Sequence, residues 1–372
     1  MTIGIDKLSF YVPPYVLDMD AFAAARGEDP EKFHTGLEID EMAVTSSTQD
    51  IVTLAANAAS QLLTDEDRAE IDQIIVATES SVDESKAAAV ILHGLLKIQP
   101  FARAIELKEA CYGATAALLL ARDAIYRKPE SKILVIATDI ARYGLNTPGE
   151  ATQGAGAVAM LVTQNPRLLV LHDASVSLTQ DIYDFWRPTG ETYPRVNGKL
   201  SNETYLDAFE KVWAEYQRRT QKSLEDFAAI VFHSPYPKMG KKALNRVTDH
   251  PRLISMLTPA TTYNRRVGNL YTGSLYLSLV SLLENAKNLK AGDTIGLFSY
   301  GSGTVSEFFT AQLVPRYETQ LRASYHQSLL DNRQQLTMSE YEGLFTNTHL
   351  YKDTTPFALE SIIDGERHYH VD

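Results

Sequence analysis

The 372-residue chain has a single cysteine, Cys111, and only two tryptophans. One thiol excludes an intramolecular disulfide and any cysteine-based zinc cluster, and such sparing use fits a reducing compartment, so a cytoplasmic location is expected. Apolar runs are short, none nearing the roughly 18 residues that a bilayer-spanning helix needs. The opening MTIGIDKLSFYVPPYVL lacks a basic region followed by a long apolar stretch, and reads as neither a signal peptide nor a membrane anchor. Positive charge is also scarce. Thirty-five Lys and Arg against 47 Asp and Glu give a formal charge of −12, which argues against a nucleic-acid partner. GxxxxGK[ST], GxGxxG after a strand, and HExxH are all missing, so nucleotide hydrolysis, nicotinamide chemistry and zinc proteolysis find no support.

What is present is an ordinary globular composition, 44% hydrophobic and 22% charged, of a length that suits two domains or one fused core. Its elements recur in the same order. IDQIIVATES (71–80) is a β-branched run ending in Thr78, Glu79 and Ser80, and FAAIVFHSPY (227–236) is another, ending in His233 and Ser234. ACYGATAALLLARDAI (110–125) and VGNLYTGSLYLSLVSLL (267–283) each lead from a small-residue turn into an apolar helix. KILVIATDIA (132–141) and TIGLFSYGSG (294–303) are buried strands with polar or glycine-rich ends. The offsets, 154, 158 and 162 residues, are similar enough to predict a duplicated α/β unit. Glu79 then occupies a place equivalent to His233, and Cys111 one near Asn269.

The halves divide into 1–165 and 166–372, with polar strand ends from both facing one cleft. The second half carries an insertion over 181–225, whose stretch 181–209 is rich in Tyr, Trp and Pro. Length and aromatic content suggest a binding cover, with a dimer contact or simple packing as the other readings. After residue 316 an amphipathic helix and a closing strand, FALESIIDGERHYHVD, form a C-terminal extension without evident chemistry.

The chemistry centres on Cys111. A lone cysteine is often an apolar filler, but this one opens a helix whose N–H groups and dipole favour a thiolate and can lower its pKa from about 8.5. If the duplication holds, Glu79 and His233 converge on it. The SYGSG turn (299–303) offers backbone N–H groups, Ser302 among them, that could polarise a thioester carbonyl, although the glycines also serve a tight turn. PKMGKKALNR holds Lys238, Lys241, Lys242 and Arg246, either a solvated surface or an anion contact.

Taken together, EACYGATAALLLA, VATES, FHSPYPK, VGNLYTGSLY and FSYGSG resemble the hydroxymethylglutaryl-CoA synthase family of the shorter bacterial type. EMAVTSSTQDIVTLAANAA (41–59), YDFWRP (183–188) and TQGAGAVAML (152–161) extend the likeness over nearly the whole chain. The resemblance implies a thiolase-like fold layered αβαβα, a homodimer, and condensation of acetyl-CoA with acetoacetyl-CoA and water to hydroxymethylglutaryl-CoA and CoA. That reaction belongs to the mevalonate route to isoprenoids, and no metal or redox cofactor is required. It further implies Cys111 as the acetylated nucleophile, Glu79 as general acid/base and His233 as the donor that positions acetoacetyl-CoA. Asn269 and the Ser302 turn would hold acyl oxygens, Lys238 and Lys242 the CoA phosphates or pantetheine, and Tyr143 and Thr152 would border the acyl pocket.

A typical thiolase would be expected to carry a second catalytic cysteine, and this chain has none. A non-catalytic acyl-CoA-binding or scaffold protein that keeps the fold would form no acetyl-Cys111, and two enzymatic alternatives also stay open. A ketoacyl-synthase-III-like enzyme would use a Cys-His-Asn set that Cys111, His233 and Asn269 could supply. A synthase acting on a carrier-protein-bound ketone, as in polyketide branching, would keep the chemistry and change the carrier.

Overall fold

Strand residues alternate between two apolar environments, and that alternation sets the layering. The computed structural model describes residues 1–348 and 355–371. Nine strands form one mixed sheet: β1 (Ile3–Tyr11), β2 (Ile71–Ala77), β3 (Arg103–Leu107), β4 (Lys132–Ala141), β5 (Gly154–Gln164), β6 (Leu169–Thr179), β7 (Ala229–Phe232), β8 (Thr294–Gly301) and β9 (Val305–Leu313). Their spatial order is β7-β8-β9-β6-β1-β5-β4-β2-β3. Outward from the centre, β1-β5-β4-β2 and β6-β9-β8-β7 repeat one pattern, two antiparallel pairings and then a parallel one. β3 adds a further parallel edge strand beside β2. The halves join where Gly4 and Ile5 pair with Val170 and Leu169. A Cβ on Gly4 would lie 1.9 Å from the Leu169 carbonyl oxygen, so only glycine permits this seam.

Six helices complete the layers: α1 (Ile51–Ser60), α2 (Ala88–Leu95), α3 (Gly113–Arg127), α4 (Gly198–Thr220), α5 (Lys238–Val247) and α6 (Ser274–Asn285). Ile75, Val135 and Val158 of one half and Val231, Leu297 and Phe309 of the other share a core with α3 and α6. The intervening residues face outward: Ile74, Val76 and Leu134 pack with α1 and α2, while Ile230, Phe298 and Phe308 pack with α4 and α5. The outcome is an αβαβα stack. Helix α6 is buried on every side from Ser274 to Leu283, as a helix packed all round is. Helix α3 instead shows a stripe, Ala114, Ala117, Leu118, Ala121 and Ile125.

The segment expected as one long cover divides in two. Residues 198–220 form α4, whose Tyr205, Phe209, Val212, Trp213 and Tyr216 recur at helical spacing and fill the outer core. Aromatic content there reflects packing, while 181–197 and the first two turns of α4, through Gly198, Ser201, Asn202 and Tyr205, border the site. The expected helix after residue 316 is present as Ala323–Asp331 and Met338–Phe345. The closing strand is a hairpin, Phe357–Ile363 with Glu366–Val371, docked on α1 where Asn57 donates to the Phe357 carbonyl at 3.1 Å. Asp372 and residues 349–354 lie outside the described residues. Among those described, no helix is long and apolar enough to cross a membrane.

Candidate active site

The polar residues that follow these strands meet at a cavity of about 440 Å³. Cys111, Tyr143, Thr152, His233, Asn269 and Ser302, all singled out from the sequence, line it. Glu79 reaches it through the thiol. Lys238 and Lys242 do not line it, but stand at the start of α5 beside Tyr236 and Met239, which do.

Cys111 sits in the turn between β3 and α3. Ala110 is held at φ 40°, a left-handed conformation that costs a residue with a Cβ about 1 kcal/mol or more. Gly301 brings β8 against this turn, since a Cβ there would lie 2.7 Å from the Tyr112 nitrogen and from the Glu109 carbonyl oxygen. The Cys111 thiol donates to Glu79 Oε1 at 3.1 Å. Burial raises its pKa well above the ordinary thiol value, and the charge of Glu79 and their hydrogen bond raise it further. The expected lowering by the helix terminus is therefore reversed. A dipole equivalent to about half a charge does not offset desolvation beside a carboxylate.

Glu79 is itself pushed up to about 8, first by burial and then by the charge of Asp139. Asp139 is completely buried. Its Oδ1 accepts from Thr78 Oγ1, the Glu79 N–H and Ser80 Oγ, each at 2.9 Å, and its Oδ2 from Thr272 N–H at 3.1 Å and Thr272 Oγ1 at 2.6 Å. Those donors oppose the upward push of burial on Asp139. Glu79 has only the Cys111 thiol and the charge of Arg187 to oppose its own push, so of the two carboxylates it holds its proton more firmly.

His233 follows β7 and is 2% exposed. Its N–H donates to the Phe298 carbonyl at 2.8 Å, and Tyr205 Oη donates to its own carbonyl at 2.6 Å. Nδ1 has no partner among the described residues. Burial lowers the imidazole to about 3, which keeps it neutral. Asn269 donates from Nδ2 to Tyr143 Oη at 3.1 Å, and its Oδ1 accepts from Tyr271 N–H and Ser274 Oγ, both at 2.8 Å. Thr152 Oγ1 donates to Gly149 at 2.9 Å, and the Thr152 carbonyl accepts from Asn269 N–H at 3.1 Å. Lys238 Nζ donates to the Thr35 carbonyl at 2.7 Å, and Lys242 Nζ to Tyr236 Oη at 3.0 Å. Arg246 is taken up by Glu203 and Glu210, at 2.8 and 3.7 Å, and leaves the basic cluster.

The duplication places Cys111 opposite a different residue than expected. Cys111 lies two residues before α3 and follows Ala110 at φ 40°; Thr272 lies two before α6 and follows Tyr271 at φ 44°. Asn269 belongs to the preceding turn. Asp139, Asp184, Arg187 and Tyr205 were not assigned from the sequence. Asp139 had a signal, a carboxylate inside an apolar strand; Asp184 and Arg187 stood unassigned in YDFWRP, and Tyr205 looked like any helical core aromatic.

A duplicated five-layer stack with a thiol at the head of a central helix defines the thiolase-type condensing enzymes. Residues 1–166 match the family profile described as hydroxymethylglutaryl-coenzyme A synthase N terminal, and 169–255 with 250–364 match its C-terminal counterpart. The chain belongs to the hydroxymethylglutaryl-CoA synthase family and is an enzyme of that family. It is 56% identical to the hydroxymethylglutaryl-CoA synthase of Enterococcus faecalis, over 99% of this chain and 100% of that one. A crystal structure of HMG-CoA synthase complexed with CoA superposes with a TM-score of 0.97 at 48% identity, covering 100% of both chains. The polyketide 3-hydroxy-3-methylglutaryl-ACP synthase PksG of Bacillus subtilis is 30% identical, over 95% of this chain and 90% of that one.

Proposed function

We propose that the chain condenses acetyl-CoA with acetoacetyl-CoA and water to 3-hydroxy-3-methylglutaryl-CoA and free CoA, through an acetyl thioester on Cys111. The carrying observation is the 3.1 Å contact between the Cys111 thiol and Glu79 at the head of a central helix. Glu79 takes the thiol proton as sulfur attacks acetyl-CoA, and the departing CoA sulfur leaves with that proton. Now ionised, Glu79 removes a methyl proton from acetyl-Cys111. The enolate carbon bonds to the ketone carbon of acetoacetyl-CoA, and the new alkoxide takes the proton back from Glu79. Water then cleaves the thioester, leaving the product carboxylate and the free thiol. A group near pH 8 suits both giving and taking a proton, work worth about 10²–10⁴-fold in rate.

His233, neutral and buried, holds the acetoacetyl oxygen as a hydrogen-bond donor, and the Ser302 turn stabilises acyl oxyanions, a contribution of roughly 3–4 kcal/mol per good donor. Asn269 and Tyr143 shape the acyl pocket with Thr152, and Lys238 and Lys242 meet the CoA phosphates or pantetheine. Among the described residues Glu79, and not His233, is the hydrogen-bond partner of the thiol, which favours this reading over a ketoacyl synthase. Greater likeness to the CoA-named relative than to the carrier-protein one favours CoA as carrier.

The enzyme would act in the mevalonate route, in the cytoplasm, as a homodimer. Among the described residues β3 has no strand on its outer side, which supports the dimer, with Phe101 91% exposed just before it. The test is an assay of purified protein with both substrates, the product identified by mass. No hydroxymethylglutaryl-CoA, or its undiminished formation by Cys111→Ser, would overturn the reading.

A further inference from the structure

The segment 181–197 ties the two halves together at the site through side chains to which the reaction above gives no task. It leaves β6 in the C-terminal half and is anchored by Asp184, whose buried carboxylate accepts from Tyr300 Oη at 2.8 Å, Ser201 Oγ at 3.0 Å and Gly303 N–H at 2.9 Å. Phe185 then packs edge-on against Tyr143 and Tyr271, with ring centroids 6.1 and 5.9 Å apart. Two residues on, the Arg187 guanidinium crosses to the N-terminal half and donates to the main-chain carbonyl of Glu79.

The groups facing Glu79 come from several elements. The nucleophile turn presents Cys111 and Glu109, the end of β4 presents Asp139, and Tyr143 and Tyr271 stand on the cavity wall. Asp184 adds negative charge on the Cys111 side. Arg187 is the cation among them, and its charge favours the ionised carboxylate, against burial and Asp139. Its outer face is exposed to solvent, which moderates that effect.

We propose that Arg187 is a positioning residue for the base: it pins the Glu79 segment to the C-terminal half and supplies the positive charge that offsets Asp139 and Glu109. The proposal rests on Glu79 acting as the base. Because a base works when ionised, its activity rises with pH through its own pKa, and losing a nearby cation moves that rise to higher pH.

The experiment follows condensation of pre-acetylated enzyme with acetoacetyl-CoA across pH. Arg187→Gln keeps an N–H donor for the carbonyl and removes the charge, while Arg187→Lys keeps the charge. In Arg187→Gln the acid limb should move up by about half a unit to one unit, a roughly three- to tenfold slower reaction below the limb, recovering above it. The KM for acetoacetyl-CoA should hold, and Arg187→Lys should restore most of the shift. An Arg187→Gln limb at the wild-type position, or a uniform loss at every pH that Arg187→Lys shares, would overturn the proposal. Glu79→Gln, run in parallel, separates the two readings. If it condenses normally, the base assignment falls and this proposal with it; if it is inactive while the Arg187→Gln limb has not moved, the role of Arg187 alone is wrong.

Discussion

The thiol of Cys111 donates a hydrogen bond of 3.1 Å to the carboxylate of Glu79, which makes the thiol harder to ionise while the donated bond favours the ionised carboxylate against burial and Asp139. The thiol therefore keeps its proton until a substrate arrives.

Glu79→Gln should keep the shape of the site and lose its proton acceptor. We expect acetyl-Cys111 to form more slowly from acetyl-CoA, because the thiol has lost its proton acceptor, but still to accumulate, detected by mass, while condensation falls by about 10²–10⁴-fold or more. Near wild-type condensation would remove Glu79 from the mechanism.

His233 should stay uncharged through the working range. Burial depresses it to about 3, so protons bind the unfolded chain more readily than the folded one as pH falls below the ordinary histidine value. Its contribution to stability is complete above about pH 6.5 and is lost as pH falls toward about 3, amounting to about 2 kcal/mol between pH 7 and 5. Denaturation of wild type and His233→Phe at both values checks this: the variant should lose less on acidification, and an equal loss would contradict the buried neutral state.

Lys242→Ala should raise the KM for CoA substrates while leaving kcat nearly unchanged. Lys242 is exposed and also rests over the Tyr236 ring, 5.0 Å from its centroid. A single charge contact at such a site is worth about 1 kcal/mol at most, a roughly fivefold change that should shrink with added salt. A large, salt-independent fall in kcat would exclude a phosphate contact.

Gly301→Ala should disturb the nucleophile turn before anything else. The added methyl would overlap the Tyr112 nitrogen and Glu109 carbonyl at 2.7 Å, both main-chain atoms that cannot swing aside. We expect about 1–3 kcal/mol of lost stability, seen in thermal unfolding, and slower self-acetylation than wild type. A variant with unchanged Tm and acetylation rate would show that the turn is not held by this approach.

Much of this molecule was legible in one dimension. Period-2 apolar runs such as KILVIATDIA and the all-apolar helix SLYLSLVSLL are local patterns whose burial follows from backbone geometry, so the layers and the duplication could be read directly. Cys111, Glu79 and His233 stand at element ends, where side chains point into a cleft whatever the details of packing.

Tertiary structure alone decided the rest. It set Thr272 rather than Asn269 opposite Cys111, because loop lengths between repeats carry no register. It made residues 198–220 a core helix, since a cover and an outer layer share the same aromatic composition. The direction of the cysteine shift was also invisible: a helix terminus is local, whereas desolvation and the charges of Glu79, Asp139 and Asp184 arrive from segments far apart in the chain. Sequence determines which groups exist and which faces are apolar, but electrostatics depends on distance and burial, and those are properties of the folded chain.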